Sequence, residues 1–154
     1  MSDTVEHPET SFQSIVDALL VELVVSRVTL RLDTPGRNFP ALAEAVAGDV
    51  DPIIQDDSLD QRNAPTARWI IARKEILVQP NCETAEPRPP AALIEIYGVR
   101  AQMLAPVFGE GAVIGWVSVH ETRGQRNWTA HEVDAIRKAA LAVEARCGSE
   151  ASHL

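Results

Sequence analysis

The chain has 154 residues, 45% of them hydrophobic and 23% charged, which is enough for one globular domain with a sizeable core and excludes a disordered chain. Its formal net charge of −8 excludes the basic footprint of a nucleic-acid surface and argues against docking on anionic lipid. No apolar run reaches the length of a membrane span, residues 1–10 lack the basic and apolar regions of a signal peptide, and Cys82 and Cys147 form no CxxC motif, so a reduced, cytoplasmic protein is expected.

Residues 1–10 read as a flexible tail, 11–147 as the domain and 148–154 as a second tail. Phe12, Ile15, Val16, Leu19, Leu20 and Leu23 recur at helical spacing behind Ser11, a plausible N-cap, so the domain opens on an amphipathic helix. Val24–Leu32 is rich in β-branched residues and alternates, which predicts a strand. Val24, Ser26, Val28, Leu30 and Leu32 share one face of it, and Val25, Arg27, Thr29 and Arg31 the other. Asp33-Thr34-Pro35-Gly36 ends this strand as a turn. Residues 39–46 stand open between helix, which alanine favours, and strand, which the turn favours. Residues 48–63 are polar and acidic and read as a long loop of the kind that often carries function. Residues 64–74 are expected as a short helix burying Trp69 and Ile70, and 75–78 as a short strand.

Four of the ten prolines fall between Pro80 and Pro90, which rules out a sheet interior and makes this stretch a loop, a candidate lid over a pocket. Pro89 or Pro90 then opens a short helix through Tyr97, stopped by Gly98. Residues 99–108 and 112–121 alternate on either side of Gly109-Glu110-Gly111, which predicts a hairpin. Thr129-Ala130-His131-Glu132 is a capping box, and Val133, Ile136, Ala140, Val143 and Cys147 continue as a helical stripe that Gly148 is expected to end.

The second half resembles the GAF domain family. Val99-Arg100-Ala101-Gln102-Met103-Leu104-Ala105-Pro106-Val107 is similar to its penultimate strand, which commonly ends in a proline before a hairpin. Gly111-Ala112-Val113-Ile114-Gly115-Trp116-Val117-Ser118-Val119-His120 is similar to its last strand, with a glycine near the middle. Asn127-Trp128-Thr129-Ala130-His131-Glu132-Val133 is similar to the junction into the final helix. The resemblance implies an α+β, GAF/PAS-like fold. Its central antiparallel sheet carries the terminal helices on one face and a loop-roofed ligand pocket on the other. It also implies a homodimer through the terminal helices, and the lack of an attached output module implies a separate signalling partner. Family signatures for particular ligands are missing. There is no Asn-Lys-Phe-Asp-Glu motif of cyclic-nucleotide binders, Cys82 lacks the following histidine of a bilin-attaching cysteine, and the clustered cysteines of free methionine sulfoxide reductases are absent.

Strand parity then selects candidate site residues. Gly115 suits a surface that a helix approaches closely, which turns Val113, Gly115, Val117 and Val119 towards the helices and Ile114, Trp116, Ser118 and His120 towards the pocket. On the neighbouring strand Val99, Ala101, Met103, Ala105 and Val107 belong to the core, leaving Arg100, Gln102 and Leu104 for the pocket. The first strand adds Arg27, Thr29 and Arg31. Arginine on a concave sheet face is costly without an anion, so Arg31, with Arg27 or Arg100, is read as a carboxylate or phosphate clamp or, equally, as one half of an ion pair with Glu44, Asp33 or Glu121. Trp116 is either a stacking surface or plain core, and His120 is a ligand anchor, a general acid–base group or a strand-end histidine in water. No His/Cys/Asp spacing supports a metal site, Asp56, Asp57 and Asp60 lack the pattern of a calcium loop, and no cofactor is implied. Three functions remain open: a sensor domain for a small anionic, carboxylate-bearing metabolite; a small enzyme in which Arg31 holds a carboxylate and His120 moves a proton; and a structural dimerisation module.

Overall fold

A computed structural model describes residues 11–33, 38–56 and 61–151, with side chains through residue 148; the expected tail 1–10, residues 152–154 of the expected tail 148–154 and the turn residues 34–36 lie outside the described residues. Helix α1 (Phe12–Leu23) starts where Ser11 Oγ accepts the Ser14 amide at 3.0 Å. It ends at Val24, whose φ of 53° and ψ of 55° place it in the left-handed region, so Val24 is exposed and Val25 enters the core instead. The alternation expected from Val24 onward is therefore out of phase for its first two residues, because the chain is still turning off the helix. Strand β1 (Arg27–Leu32) begins three residues later than expected, and from there the parity holds.

Residues 39–46 resolve as a strand, β2 (Ala41–Val46), which pairs antiparallel with β1. Helix α2 (Pro65–Arg73) buries Ile70 fully and Trp69 partly, β3 (Leu77–Gln79) is a short edge strand, and α3 (Ala91–Glu95) follows Pro90. Strands β4 (Ala101–Gly109) and β5 (Ala112–Glu121) form the expected hairpin. Its turn is Glu110-Gly111, with φ of 53° and 83°, the pair of positive angles that a tight two-residue hairpin needs. Helix α4 (Ala130–Ala151) opens on the capping box, where the Glu132 amide donates to Thr129 Oγ1 at 3.1 Å and the Thr129 amide to Glu132 Oε1 at 2.9 Å. It does not stop at Gly148: the helix runs through that glycine to Ala151, since a glycine inside a helix lowers its stability without obliging it to end.

The five strands form one antiparallel sheet in the order β2-β1-β5-β4-β3. Helices α1 and α4 cover one face. Val16, Leu19 and Leu23 of α1 and Ile136, Ala140 and Val143 of α4 close over Val28, Leu30, Met103, Ala105, Val117 and Val119 in one continuous apolar core. Two details differ from the sequence reading. The close neighbour of Gly115 is strand β1, not a helix: a Cβ there would lie 2.0 Å from the Arg31 carbonyl oxygen. Val99 precedes β4 and packs with Ile53, Cys82 and Leu93 on the opposite side, while Ile114, beside the register shift at residues 107–108, packs against the helix-side core.

Candidate functional site

The second face of the sheet is roofed by residues 47–56 and 61–64, α2, α3 and the proline-rich loop. Beneath the roof lies a small cavity of about 20 Å³. Its floor is Arg31, Gln102, Leu104, Ser118 and His120, and its roof is Ile53, Gln61, Thr66, Pro90 and Leu93. Of the eight polar and aromatic residues singled out by parity, Arg31, Gln102, Ser118 and His120 come together at this cavity. The other four stand around it or away from it. Arg27 lies fully buried beside His120, and its Nη2 donates to the Asp51 carbonyl at 2.6 Å. Thr29 Oγ1 donates to Glu44 Oε2 at 3.4 Å. Trp116 packs on Phe39 with ring centroids 4.6 Å apart in an apolar cluster with Leu77 and Leu104. Arg100 sits one residue before β4, where its guanidinium donates to the carbonyls of Ile94 and Val99.

Register explains the convergence. Arg27 faces His120, His120 faces Gln102 and Gln102 faces Gln79, so one row of polar side chains crosses β1, β5, β4 and β3. A second row, Thr29–Ser118–Leu104–Leu77, lies beside it. Arg27 Nη1 is 2.9 Å from His120 Nδ1, and a guanidinium only donates, so Nδ1 accepts and the ring proton sits on Nε2. Burial first, then the guanidiniums of Arg27 and Arg31, hold the His120 pKa well below that of a free histidine, and the ring is neutral. Gln102 Nε2 donates to Gln79 Oε1 at 2.8 Å, and Gln79 Nε2 donates to the Pro87 carbonyl at 2.6 Å.

Glu44 is the roof-side acid that answers Arg27. Its Oε2 lies 3.8 Å from Arg27 Nε, too long for a hydrogen bond, and its carboxylate accepts the Ile53 and Ile54 amides at 3.0 and 3.3 Å. Tyr97 stacks under Arg27 at 5.5 Å and donates to Asp56, which lifts its phenol to about 12. These contacts pin residues 51–56 onto the sheet. Glu44 was legible as a partner for the arginines, but Gln79, Asp51, Asp56 and Tyr97 were not. Gln79 carried one usable signal, a polar residue at the inward parity of a strand. Cys82 is buried, and burial raises its thiol to about 12, so it is inert. Among the described residues no three His, Cys, Asp or Glu side chains gather as metal ligands, and no helix is long and apolar enough to cross a membrane.

A second network sits on the other side of the same strand ends. Glu121 accepts from Ser26, Arg123 and Arg126, and the two arginines also donate to the carbonyls of Leu23 and Val24 at the end of α1. Hydrogen bonds from these partners overcome the burial of Glu121 and bring its pKa down to about 2.

A family model described as GAF domain matches residues 7–146. The chain belongs to the GAF domain family. Solved structures similar to it include the PixJ GAF domain of Thermosynechococcus elongatus in its blue-light-absorbing form, at 19% identity and a TM-score of 0.70, with 92% of this chain and 87% of that one covered. A Synechocystis GAF domain in its photoproduct state aligns at 20% identity and a TM-score of 0.72, covering 92% and 95%. A far-red-absorbing dark state with bound biliverdin aligns at 13% identity and a TM-score of 0.68, covering 86% and 87%. At these identities the likeness carries the GAF fold. None of the curated proteins compared matches the chain.

Proposed function

We propose that this GAF domain is a sensor that binds a small anionic metabolite, carboxylate-bearing in the simplest case, between the sheet and its roof. The carrying observation is electrostatic. Two buried guanidiniums, Arg31 at a small cavity and Arg27 behind His120, stand where the cavity floor also offers the Ser118 hydroxyl and the Nε2–H of a neutral histidine. Buried positive charge is stabilised by an anion, and a planar guanidinium matches a carboxylate. At about 20 Å³ the closed cavity holds one water-sized group. A ligand of several heavy atoms therefore parts the roof, and a tetrapyrrole such as the biliverdin of the far-red relative would need a far larger opening.

The arrangement weighs against the enzyme reading. The basic lone pair of His120 is already occupied by Arg27, and a ring held neutral by burial is a poor proton acceptor at neutral pH. A homodimer through the terminal helices belongs to the same proposal; exposed Val21 on α1 and Leu141 on α4 support it, and light scattering tests it. The sensor reading is tested by thermal shift against a library of small acids. A ligand at 100 times its Kd adds about 2.7 kcal/mol of stability. No shift from any acid, with an unchanged response in Arg31→Met, would remove the reading.

A further inference from the structure

The polar row has a direction. Asp51 O and Pro87 O, at its two ends, can only accept, and Arg27 can only donate. From Arg27 the donors point across the sheet: guanidinium to His120 Nδ1, then Gln102 amide to Gln79 carbonyl, then Gln79 amide to Pro87. One link is missing. His120 and Gln102 face each other across β5 and β4 and both line the cavity, yet no hydrogen bond joins them. The ends of the row fix what each presents at the gap. His120, with Nδ1 occupied, presents Nε2–H. Gln102, with Nε2 committed to Gln79, presents Oε1. Both side chains are almost fully buried, at 2% and 1% exposure, and both line the cavity, so what meets them at the gap is whatever occupies that cavity.

Building on the anion-sensor reading, we propose that this gap is the recognition point of the cavity. The ligand places there one hydroxyl group, which accepts from His120 Nε2–H and donates to Gln102 Oε1, while its carboxylate lies towards Arg31. The ligand class is a short hydroxy acid. A hydroxyl is the smallest ligand group that is donor and acceptor at once, and it can replace the single water for which the cavity has room. A plain carboxylate offers Gln102 nothing but a second acceptor. A cation offers His120 nothing but a second donor. Arg27 is then a positioning residue: it touches no ligand and fixes the tautomer that does.

The first test needs no ligand. In the unliganded protein, the ¹⁵N signature of the His120 ring, assigned by its loss in His120→Gln, is expected to show the neutral Nε2–H tautomer. An Nδ1–H tautomer or an imidazolium at pH 7 would overturn the row. The second test compares glycolate with acetate by calorimetry on the intact chain. Glycolate is expected to bind at least tenfold more tightly, because acetate has no hydroxyl to accept from His120 and donate to Gln102. In Gln102→Met that preference is expected to fall to within twofold. Equal binding of the two acids by the native chain would overturn the hydroxyl assignment and leave the anion site standing. Binding of neither acid would remove the anion site and its occupant together, with the tautomer already decided by the ligand-free spectrum.

Discussion

The two faces of the sheet are made from alternate residues of the same strands, yet they are built to different rules. Towards α1 and α4, β1 and β5 present Val28, Leu30, Val117 and Val119 to one unbroken apolar core. Towards the roof the intervening residues are Arg27, Thr29, Arg31, Ser118 and His120, all buried, and the apolar packing splits into two smaller clusters around Trp116 and Leu93. A chain selected for stability alone would fill the roof side as it fills the helix side, because buried polar rows are at best neutral against apolar residues of the same shape. The difference is what the proposed ligand site on the roof face would require, with stability carried by the helix face.

Substitutions sharpen that contrast by size. Ile136→Ala, in the middle of the helix-side core, is expected to lose about 3 kcal/mol in urea unfolding through transfer and cavity terms. A loss under about 1 kcal/mol would mean that this core is not the main source of stability. Gly115→Ala forces a methyl against the Arg31 carbonyl and the Leu32 backbone, and is expected to cost about 2 kcal/mol while pushing β1 and β5 apart. Because Arg31 is a floor residue, this variant should also weaken acid binding, which Ile136→Ala should leave alone. On the roof face, Gln79→Met and Gln102→Met each strand a buried partner. Their double variant should be milder than the sum of the singles, with a coupling of about 1 kcal/mol. Strict additivity would deny that the row is connected.

The smallest effect at neutral pH is electrostatic. His120 in the folded chain has a pKa well below 6.5, and Glu121 is lowered from 4.5 to about 2. In both cases the unfolded chain binds the proton first, so stability falls as pH falls. His120 contributes the loss that begins as pH drops through 6.5, and Glu121 the loss between pH 4.5 and about 2. His120→Gln should abolish the upper limb of a urea-midpoint profile and keep the lower one.

The elements with a strong local pattern were legible from sequence: the Ser11 cap, the hairpin at Glu110-Gly111, the Thr129–Glu132 box, and the parity of β1 and of β5 from Gly115 on. Parity also brought Arg31, Gln102, Ser118 and His120 into view. It failed where residues leave the strand. Val24 belongs to a helix cap, and Arg100 precedes its strand by one residue, so alternation has no purchase on either. Arg27 has the right parity, but its carbonyl partner comes from residue 51, in a loop whose sequence imposes no register. The roof contacts of Tyr97, Asp56 and Gln79 depend on that same unpatterned packing. Gly148 misled because glycine permits a helix end without dictating it.

The two-residue turn of the hairpin has a consequence for how the chain can change in length. Residues 47–56, 61–64 and 80–90 cross the sheet as irregular chain, and these roof segments can lengthen without altering which side chains lie beneath them. The turn at Glu110-Gly111 has no such latitude, because it sets the phase in which β5 meets both β4 and β1. One residue gained there would exchange Trp116, Ser118 and His120 for Val117 and Val119, offering polar groups to the helices and valine to the roof. Descendants of this sequence should therefore vary in roof length and keep the hairpin at its present count.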